Sequence, residues 1–553
     1  MRINRKDFFF FGVIFLIGAA LRLYLLGKIS FWFDEASFCI LPELSLSSLS
    51  SLFHSIIEAK FPPFLTYGFI FTFIYLKIST QELFLRLPSV FFSLGTVILF
   101  YLFTKKYYER KAALFGVFLL SCSPLDIYYS QEARMYTLLT FAIFLSFIFL
   151  SKAMAEKKNR YWLGYAFSCL LAMYTHYITI FVLLTQAIFI ALNFKNLKEQ
   201  ISARWVFMMS VLAIFTIPFF VQLFNLTIFI LLHGGRYDFQ RVLSYLPKIG
   251  LINLFYTFKN LCVGYNLESD KYLLFVPVFF IVFIVGIMRL IKKEDFLKSS
   301  SVLLFASFPL LVFIVSLWRV IYVDRHFLPV LPFFCIIMGY GLAWFFNKKR
   351  IIFFFFFLVF VSAIFSGLFN YYRGYLPGRS AEHVGVQAKG DFRNAALYIV
   401  SNFKEGDIII HTCDNTIYPF VYYFKKYGRE HKNRFYVELK EGVPIFFEKK
   451  IRALEFKNNS IFYQQEKEEL GRGQIRLIDE DPKIDSHTIL GGNGRIWLVV
   501  SDWEFPNLYF SEHKRKDCNG IRSQAWFSSK FYLKDYKEFR GSSICLFGNK
   551  RKN

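Results

Sequence analysis

The chain has 553 residues, of which 55% are hydrophobic and 74 are phenylalanine, and its formal net charge is +25. Apolar runs of roughly 17–25 residues recur from the N-terminus to about residue 370, which is the length that crosses a bilayer and excludes an ordinary soluble protein. The basic residues lie in small clusters between those runs, the positive-inside bias of a multi-span protein and not a nucleic-acid-binding face.

Arg2, Arg5 and Lys6 precede the first run, about 8–27, which is too long for a signal peptide and lacks a small-residue cleavage site, so it reads as an uncleaved first span. Further clusters stand at Lys105/Lys106/Arg110/Lys111, Lys152/Lys157/Lys158/Arg160, Lys195/Lys198/Arg204, Arg289/Lys292/Lys293 and Lys348/Lys349/Arg350. Placing them all in the cytoplasm gives later spans at about 87–104, 112–129, 134–151, 161–175, 178–194, 206–232, 272–290, 302–318, 327–346 and 351–370. That is about eleven spans, with the N-terminus cytoplasmic and everything after the last span on the opposite side. A further apolar helix begins at Pro62-Pro63 and runs to about Ile78. If it crossed, every later basic cluster would face out, so it is expected to lie within the first outer loop or to re-enter. The expectation is an α-helical polytopic membrane domain over 1–370, with a long first outer loop over 28–86, followed by an extracytoplasmic α/β domain over 371–553.

In the C-terminal part, Asp391 is placed to cap a helix over Phe392–Asn402, and Ile408-Ile409-Ile410 reads as a β-branched strand. A helix over Tyr418–Tyr427, a strand over Arg495–Val500 and a closing hairpin of Phe531–Tyr536 with Ser543–Phe547 complete an α/β pattern. This part contains no phosphate loop, no GxSxG and no metal box. The eight cysteines form no CxxC pair, and Cys413, Cys518 and Cys545 read as free thiols in preference to a bridge between the last two.

The topology gathers ionisable residues at one interface. Asp34 and Glu35 follow the first span, Glu132, Arg134 and Tyr136 lie between the third and fourth, His176 lies between the fifth and sixth, and Asp324-Arg325-His326 opens a later span. Charges at membrane depth are costly and tend to be kept for function. A sugar donor on a prenyl phosphate would present its phosphate at that level. Transfer to an acceptor needs a carboxylate to take a proton or orient the nucleophile, supplied by Asp34 and Glu35. It also needs cations, or a divalent metal, to stabilise the leaving phosphate, and Arg134 and Arg325 meet that need. Each residue has a duller reading when taken singly. Asp34 and Glu35 can be a solvated loop end, Glu132 and Arg134 an interfacial ion pair, His176 a hydrogen-bonded interfacial residue, and Arg325 and Arg22 snorkelling side chains.

Several motifs resemble one family. Leu21-Arg22-Leu23 with Phe31-Trp32-Phe33-Asp34-Glu35-Ala36 is similar to the first-loop signature of GT-C fold glycosyltransferases, specifically glycosyltransferase family 39 and its bacterial relatives. These include protein O-mannosyltransferases and the aminoarabinose transferases of lipid A. Phe84-Leu85-Arg86-Leu87-Pro88-Ser89, Ser130-Gln131-Glu132-Ala133-Arg134-Met135-Tyr136, Thr175-His176-Tyr177 and Arg325-His326-Phe327-Leu328-Pro329-Val330-Leu331-Pro332 follow in the family's order. The resemblance implies a polyprenyl- or dolichyl-phosphate-linked sugar donor, an acceptor that is a glycan, lipid or protein, and transfer at the outer face of a bacterial inner membrane. It implies Asp34 of the Asp34-Glu35 pair as the catalytic or acceptor-orienting acid, Glu132 as a second active-site acid, and Arg134 and Arg325 as holders of the donor phosphate, so that the candidate catalytic residues are Asp34, Glu35 and Glu132 and the candidate donor- and substrate-binding residues are Arg134, Arg325, His176, Tyr136 and Arg22. Many relatives have His before Pro-Pro where this chain has Phe61, so any contact that His makes to a metal or donor in the relatives is missing here. A direct displacement would invert the anomeric carbon. The rival readings are a ligase or polymerase of diphosphate-linked glycans and a lipid or sugar transporter. A transporter would place broken helices and polar groups at the midplane in inverted repeats, and no repeat is found.

Overall fold

In the computed structural model the described residues are 5–45, 81–192, 249–291, 296–317, 321–376, 389–404, 407–411, 416–427, 495–501 and 531–549, with short pieces at 456–457 and 460–461 and scattered positions elsewhere, chiefly between 206 and 224. The helix expected up to Ile78 and most of the span expected at 206–232 lie outside them. The chain forms two compact units. One holds the residues up to Leu26 and those of Leu83–Gln387, and the other includes Gly27–Ser51, Glu82 and Ala388–Asn553.

The described part of the first unit is helical. Its elements are α1 (Arg5–Leu23), α3 (Glu82–Tyr107, whose first residue belongs to the second unit), α4 (Arg110–Ser121), α5 (Pro124–Ser130), α6 (Tyr136–Glu156), α7 (Asn159–Thr175), α8 (Thr179–Leu192), α9 (Leu251–Val263), α10 (Ser269–Ile291), α11 (Phe296–Ser316), a 3-10 turn at Asp324–Val330, α12 (Leu331–Lys348) and α13 (Arg350–Tyr372). The helix α2 (Phe33–Ser45) belongs to the second unit. Among the described residues five helices are long and apolar enough to cross a membrane, or six if the bent pair α4–α5 is one span. About eleven were expected. Several of the others are shorter or carry more charge, and one lies mostly outside the described residues. The run expected as one span at 112–129 is broken by about 50° between α4 and α5. Pro124 opens α5 and Ser123 caps it, its hydroxyl accepting from the Asp126 amide. α9 was not anticipated, because Asn253, Lys259 and Asn260 interrupt its apolar pattern.

The abundant phenylalanine has two uses. Phe103, Phe144, Phe147 and Phe333 interlock with ring centroids 5.0–6.1 Å apart and join α3, α6 and α12. By contrast, Phe354, Phe355 and Phe365 on α13 face outward, as a lipid-contacting helix face requires. Among the long apolar helices of the described residues the stretch containing α12 is the most buried, and α12 packs on both α4 and α10. Its Gly341 lies against the Val282 carbonyl of α10, and its Gly339 lies against the Ala112 carbonyl of α4. Gly286 of α10 faces the Ile337 carbonyl in return. Small residues at such crossings let backbones approach, and any Cβ would overlap them. Gly341→Val is therefore expected to destabilise the folded protein by about 1–3 kcal/mol or more. Thermal unfolding in detergent would show this, with Ile351→Val on the exposed face of α13 as a silent control.

The C-terminal end of α1 is held from a distance. Gln131 Nε2 donates to the carbonyls of Arg22 (2.9 Å) and Tyr24 (2.7 Å), while its Oε1 accepts from Tyr371 Oη at 2.8 Å. Tyr372 Oη donates to the Leu21 carbonyl. These bonds satisfy carbonyls that a helix end leaves open.

In the second unit α14 (Phe392–Asn402), β1 (Ile408–His411), α15 (Ile417–Tyr427), β4 (Ile496–Ser501), β5 (Phe531–Phe539) and β6 (Ser542–Asn549) form an α/β arrangement, with a two-stranded piece of β2 (Phe456–Lys457) and β3 (Ser460–Ile461). The main sheet runs β1-β4-β6-β5, with β1 parallel to β4 and the remaining pairs antiparallel. Asp391 caps α14, accepting from the Asn394 amide, as its place in the sequence suggests. Buried Asp407 takes both Arg495 Nε (2.9 Å) and Nη2 (2.6 Å) and also Trp497 Nε1 (2.8 Å), fixing the chain where it enters β1. Cys545, read above as a free thiol, is disulfide-bonded, and its partner is outside the described residues.

Candidate active site

The turn between α5 and α6 aims a cation at an aromatic ring. The Arg134 amide donates to the Glu132 carbonyl at 2.8 Å, and Ser89 Oγ of α3 donates to the Arg134 carbonyl at 3.0 Å. Arg134 Nη2 then reaches Tyr136 Oη at 3.2 Å, with its guanidinium 5.6 Å from the ring centroid. The 3-10 turn that begins at Asp324 brings the Arg325 guanidinium to 5.8 Å from the same centroid. The His176 ring lies 6.1 Å from Tyr136, and His326 lies 4.9 Å from His176. Arg134, Arg325, Tyr136 and His176, separated by up to 191 positions in sequence, thus meet in one cluster, and His326 joins them. Glu132 is buried beside them in the same turn.

Two guanidiniums on one ring repel one another. The ring quadrupole offsets this by about 0.5–2 kcal/mol per cation, and an anion would offset it far better. The imidazoles add directional groups. His176 Nδ1 accepts from the Ile178 amide at 3.1 Å, which leaves the proton of the neutral ring on Nε2. His326 Nδ1 faces the Ile321 carbonyl at 2.9 Å, so it donates there and keeps a lone pair on Nε2. Desolvation, followed by the neighbouring His326, Arg325 and Arg134, holds His176 well below the usual histidine range, so it is neutral at pH 7. Of the cluster's basic side chains, the arginines therefore carry the charge, with the Glu132 carboxylate beside them.

Arg22 has a different place from the one expected. It is fully buried, and all three guanidinium nitrogens donate to protein. Nη2 meets Asp126 Oδ2 at 2.5 Å, Nε meets Ser93 Oγ at 2.6 Å, and Nη1 meets the Ser121 carbonyl at 2.7 Å. It joins α1 to α3, α4 and α5 and has no donor left for a phosphate. Nothing in its own motif signals this, because Ser93 and Asp126 lie far off in sequence.

Asp34 and Glu35 belong to the second unit, in the first turn of α2. The helix dipole favours carboxylates at that position. Glu35 is fully buried, whereas Asp34 is partly exposed. The segment leading into α2 is held by the C-terminal residues. The Phe31 amide donates to Tyr423 Oη at 2.7 Å, Phe31 packs on Tyr422 at 4.9 Å, and Phe33 packs on Tyr418 at 5.4 Å. The sequence suggested a first outer loop of the membrane domain. The beginning of that stretch packs with the α/β residues, through aromatic side chains whose partners lie on α15. Among the described residues no group of three or more His, Cys, Asp or Glu side chains is placed to hold a metal ion.

Residues 61–221 match the family of dolichyl-phosphate-mannose-protein mannosyltransferases. The matched stretch includes Glu132, Arg134, Tyr136 and His176, and it accords with the GT-C glycosyltransferase resemblance carried by the motifs. Among solved structures the chain is similar to ArnT from Cupriavidus metallidurans, at 10% identity, in the apo state (97% of each chain, TM-score 0.48) and bound to undecaprenyl phosphate (98% of each chain, TM-score 0.49). It is also similar to the archaeal oligosaccharyltransferase AglB from Archaeoglobus fulgidus, at 14% identity over 72% of this chain and 58% of that one, with a TM-score of 0.46. No curated protein sequence matches the chain.

Proposed function

We propose that the protein is a membrane glycosyltransferase that moves a sugar from a polyprenyl-phosphate donor to an acceptor at the extracytoplasmic face, with inversion at the anomeric carbon. The observation that carries this reading is the pair of guanidiniums, Arg134 and Arg325, converging on Tyr136 in a unit built of apolar helices. A lipid-linked phosphate is an anion delivered at the level of a membrane. Two arginines can hold it in the ground state and stabilise it further as the glycosidic bond breaks and charge develops on the leaving oxygen. The family matched over 61–221 is named for a donor of this chemical class. In this reading Asp34 takes the acceptor proton or orients the acceptor, and Glu132 is a second acid beside the cations. The disulfide at Cys545 supports an oxidising, extracytoplasmic environment for the C-terminal unit, and with it the outer face as the site of reaction.

The test is transfer in membrane vesicles offered a panel of radiolabelled prenyl-phosphate sugars, with prenyl-diphosphate glycans as the alternative donors. Label should move from a monophosphate donor. Movement only from a diphosphate-linked glycan would instead indicate a ligase or polymerase. Arg325→Ala removes one of the two cations and with it a charged hydrogen bond of about 1.5–3 kcal/mol, a ten- to hundredfold rise in donor KM. An unchanged KM and kcat in the inserted variant would remove Arg325 from the site.

A further inference from the structure

Two described stretches of the second unit, the one that leads to Asp34 and the one that ends at Glu82, meet at one side chain of α14. Arg393, in the first turn of α14, donates from Nη2 to the Gly27 carbonyl at 2.9 Å and from Nη1 to the Lys28 carbonyl at 3.1 Å. The same guanidinium meets Glu82 Oε1 through Nη2 at 2.8 Å and Nε at 3.1 Å. Gly27 begins the segment leading to α2, and Glu82 is where the chain leaves the second unit. The other oxygen of Glu82 takes Lys426 Nζ of α15 at 2.6 Å. Glu82 is almost completely buried, so its charge is compensated by these two cations and not by water. Ser30 adds a third tie, its hydroxyl accepting from the Arg393 amide at 3.2 Å.

We propose that Arg393 is a positioning residue that, itself fixed by Glu82 and its partner Lys426, clasps the chain leading into α2 at Gly27, Lys28 and Ser30 and so sets the place of the Asp34 carboxylate. The proposal rests on the reading of Asp34 as the reacting acid. It gives the C-terminal unit a part in transfer that does not require it to touch the donor. A fork is needed for it: one guanidinium serves two carbonyls and a carboxylate at once, which a lysine ammonium cannot do with the same planar geometry. Displacing a catalytic group by about 1 Å can cost about a hundredfold in rate.

The experiment uses the full-length protein in proteoliposomes, comparing wild type, Asp34→Asn, Arg393→Lys and Glu82→Gln. Transfer is measured per folded molecule, and hydrogen exchange is measured over residues 27–39. Arg393→Lys is expected to lower kcat by about tenfold to a hundredfold with donor KM within about twofold, and to speed exchange at the Phe31 amide. Glu82→Gln should shift both readouts in the same direction and by less. It decides the matter if Arg393→Lys does not fold. A purely structural role would reduce the folded yield and leave kcat per folded molecule unchanged, which overturns the proposal. If Asp34→Asn works at the wild-type rate, the assignment of the acid fails and the clasp as a positioning device fails with it. If Asp34→Asn is inactive while kcat and exchange in both clasp variants match wild type, only the clasp is overturned.

Discussion

Asp34→Asn is expected to reduce transfer by at least about a hundredfold while leaving the protein folded and inserted, since a positioned general base contributes about 10²–10⁴ in rate. Asparagine keeps the size and the hydrogen-bonding oxygen of aspartate but cannot take a proton. The carboxylate sits in the first turn of α2 and is partly exposed, so its loss should disturb packing little. Donor KM should stay near the wild-type value, because the phosphate is assigned to Arg134 and Arg325 and not to the acid. A variant that transfers at the wild-type rate would place the reacting carboxylate elsewhere, with Glu132 the next to substitute. A large rise in donor KM with kcat intact would mean that Asp34 binds the donor and does not act in the chemical step.

The second large effect concerns stability. Arg22→Ala should destabilise the helical unit by about 3–5 kcal/mol, because it leaves the Asp126 carboxylate buried without its cation. Asp126 Oδ2 would keep only Ser93 Oγ, which now donates to it at 2.5 Å. The measurement is the unfolding midpoint in detergent together with the donor KM of the surviving folded fraction. If Arg22 held the donor phosphate, as its motif suggests, the variant would unfold normally and bind donor poorly. The geometry predicts the opposite pattern. Arg22→Lys should recover little, because one ammonium cannot serve Ser93, Ser121 and Asp126 with a guanidinium's fork.

The Tyr136 cluster and Arg22 differ in how much of their surroundings hydropathy encodes. Arg134, Tyr136, His176 and Arg325 were placed on one interface from span lengths and basic clusters alone, and they do meet. Residues at the same end of neighbouring helices are brought together by topology, so the map needs only the ends of the runs. Arg22 stands at the same end in sequence, yet its role depends on which side chains three other helices turn toward it. Hydropathy carries no record of that. The break at Ser123-Pro124 had a local signal in its proline, but the apolar run continues through it and concealed the bend. The attachment of the Phe31–Asp34 stretch to α15 had no local signal at all. It depends on tyrosines nearly four hundred positions away, as the Phe31 to Tyr423 bond shows. The C-terminal elements were more legible, because capping by Asp391 and the turn at Gly541 in the closing hairpin are local rules.

The bonds at the end of α1 bear on the order in which the chain is assembled. α1 precedes the other described helices in the sequence, yet carbonyls at its end are satisfied by Gln131 and by Tyr372 at the end of α13. Until α13 has been synthesised and inserted, the Leu21 carbonyl lacks its tyrosine donor, and Gln131 lacks its bond from Tyr371. Contacts of such sequence separation form late. A chain stopped short of α13 would therefore hold α1 through Arg22 and Gln131 but lack the two tyrosine bonds that complete the network at its end.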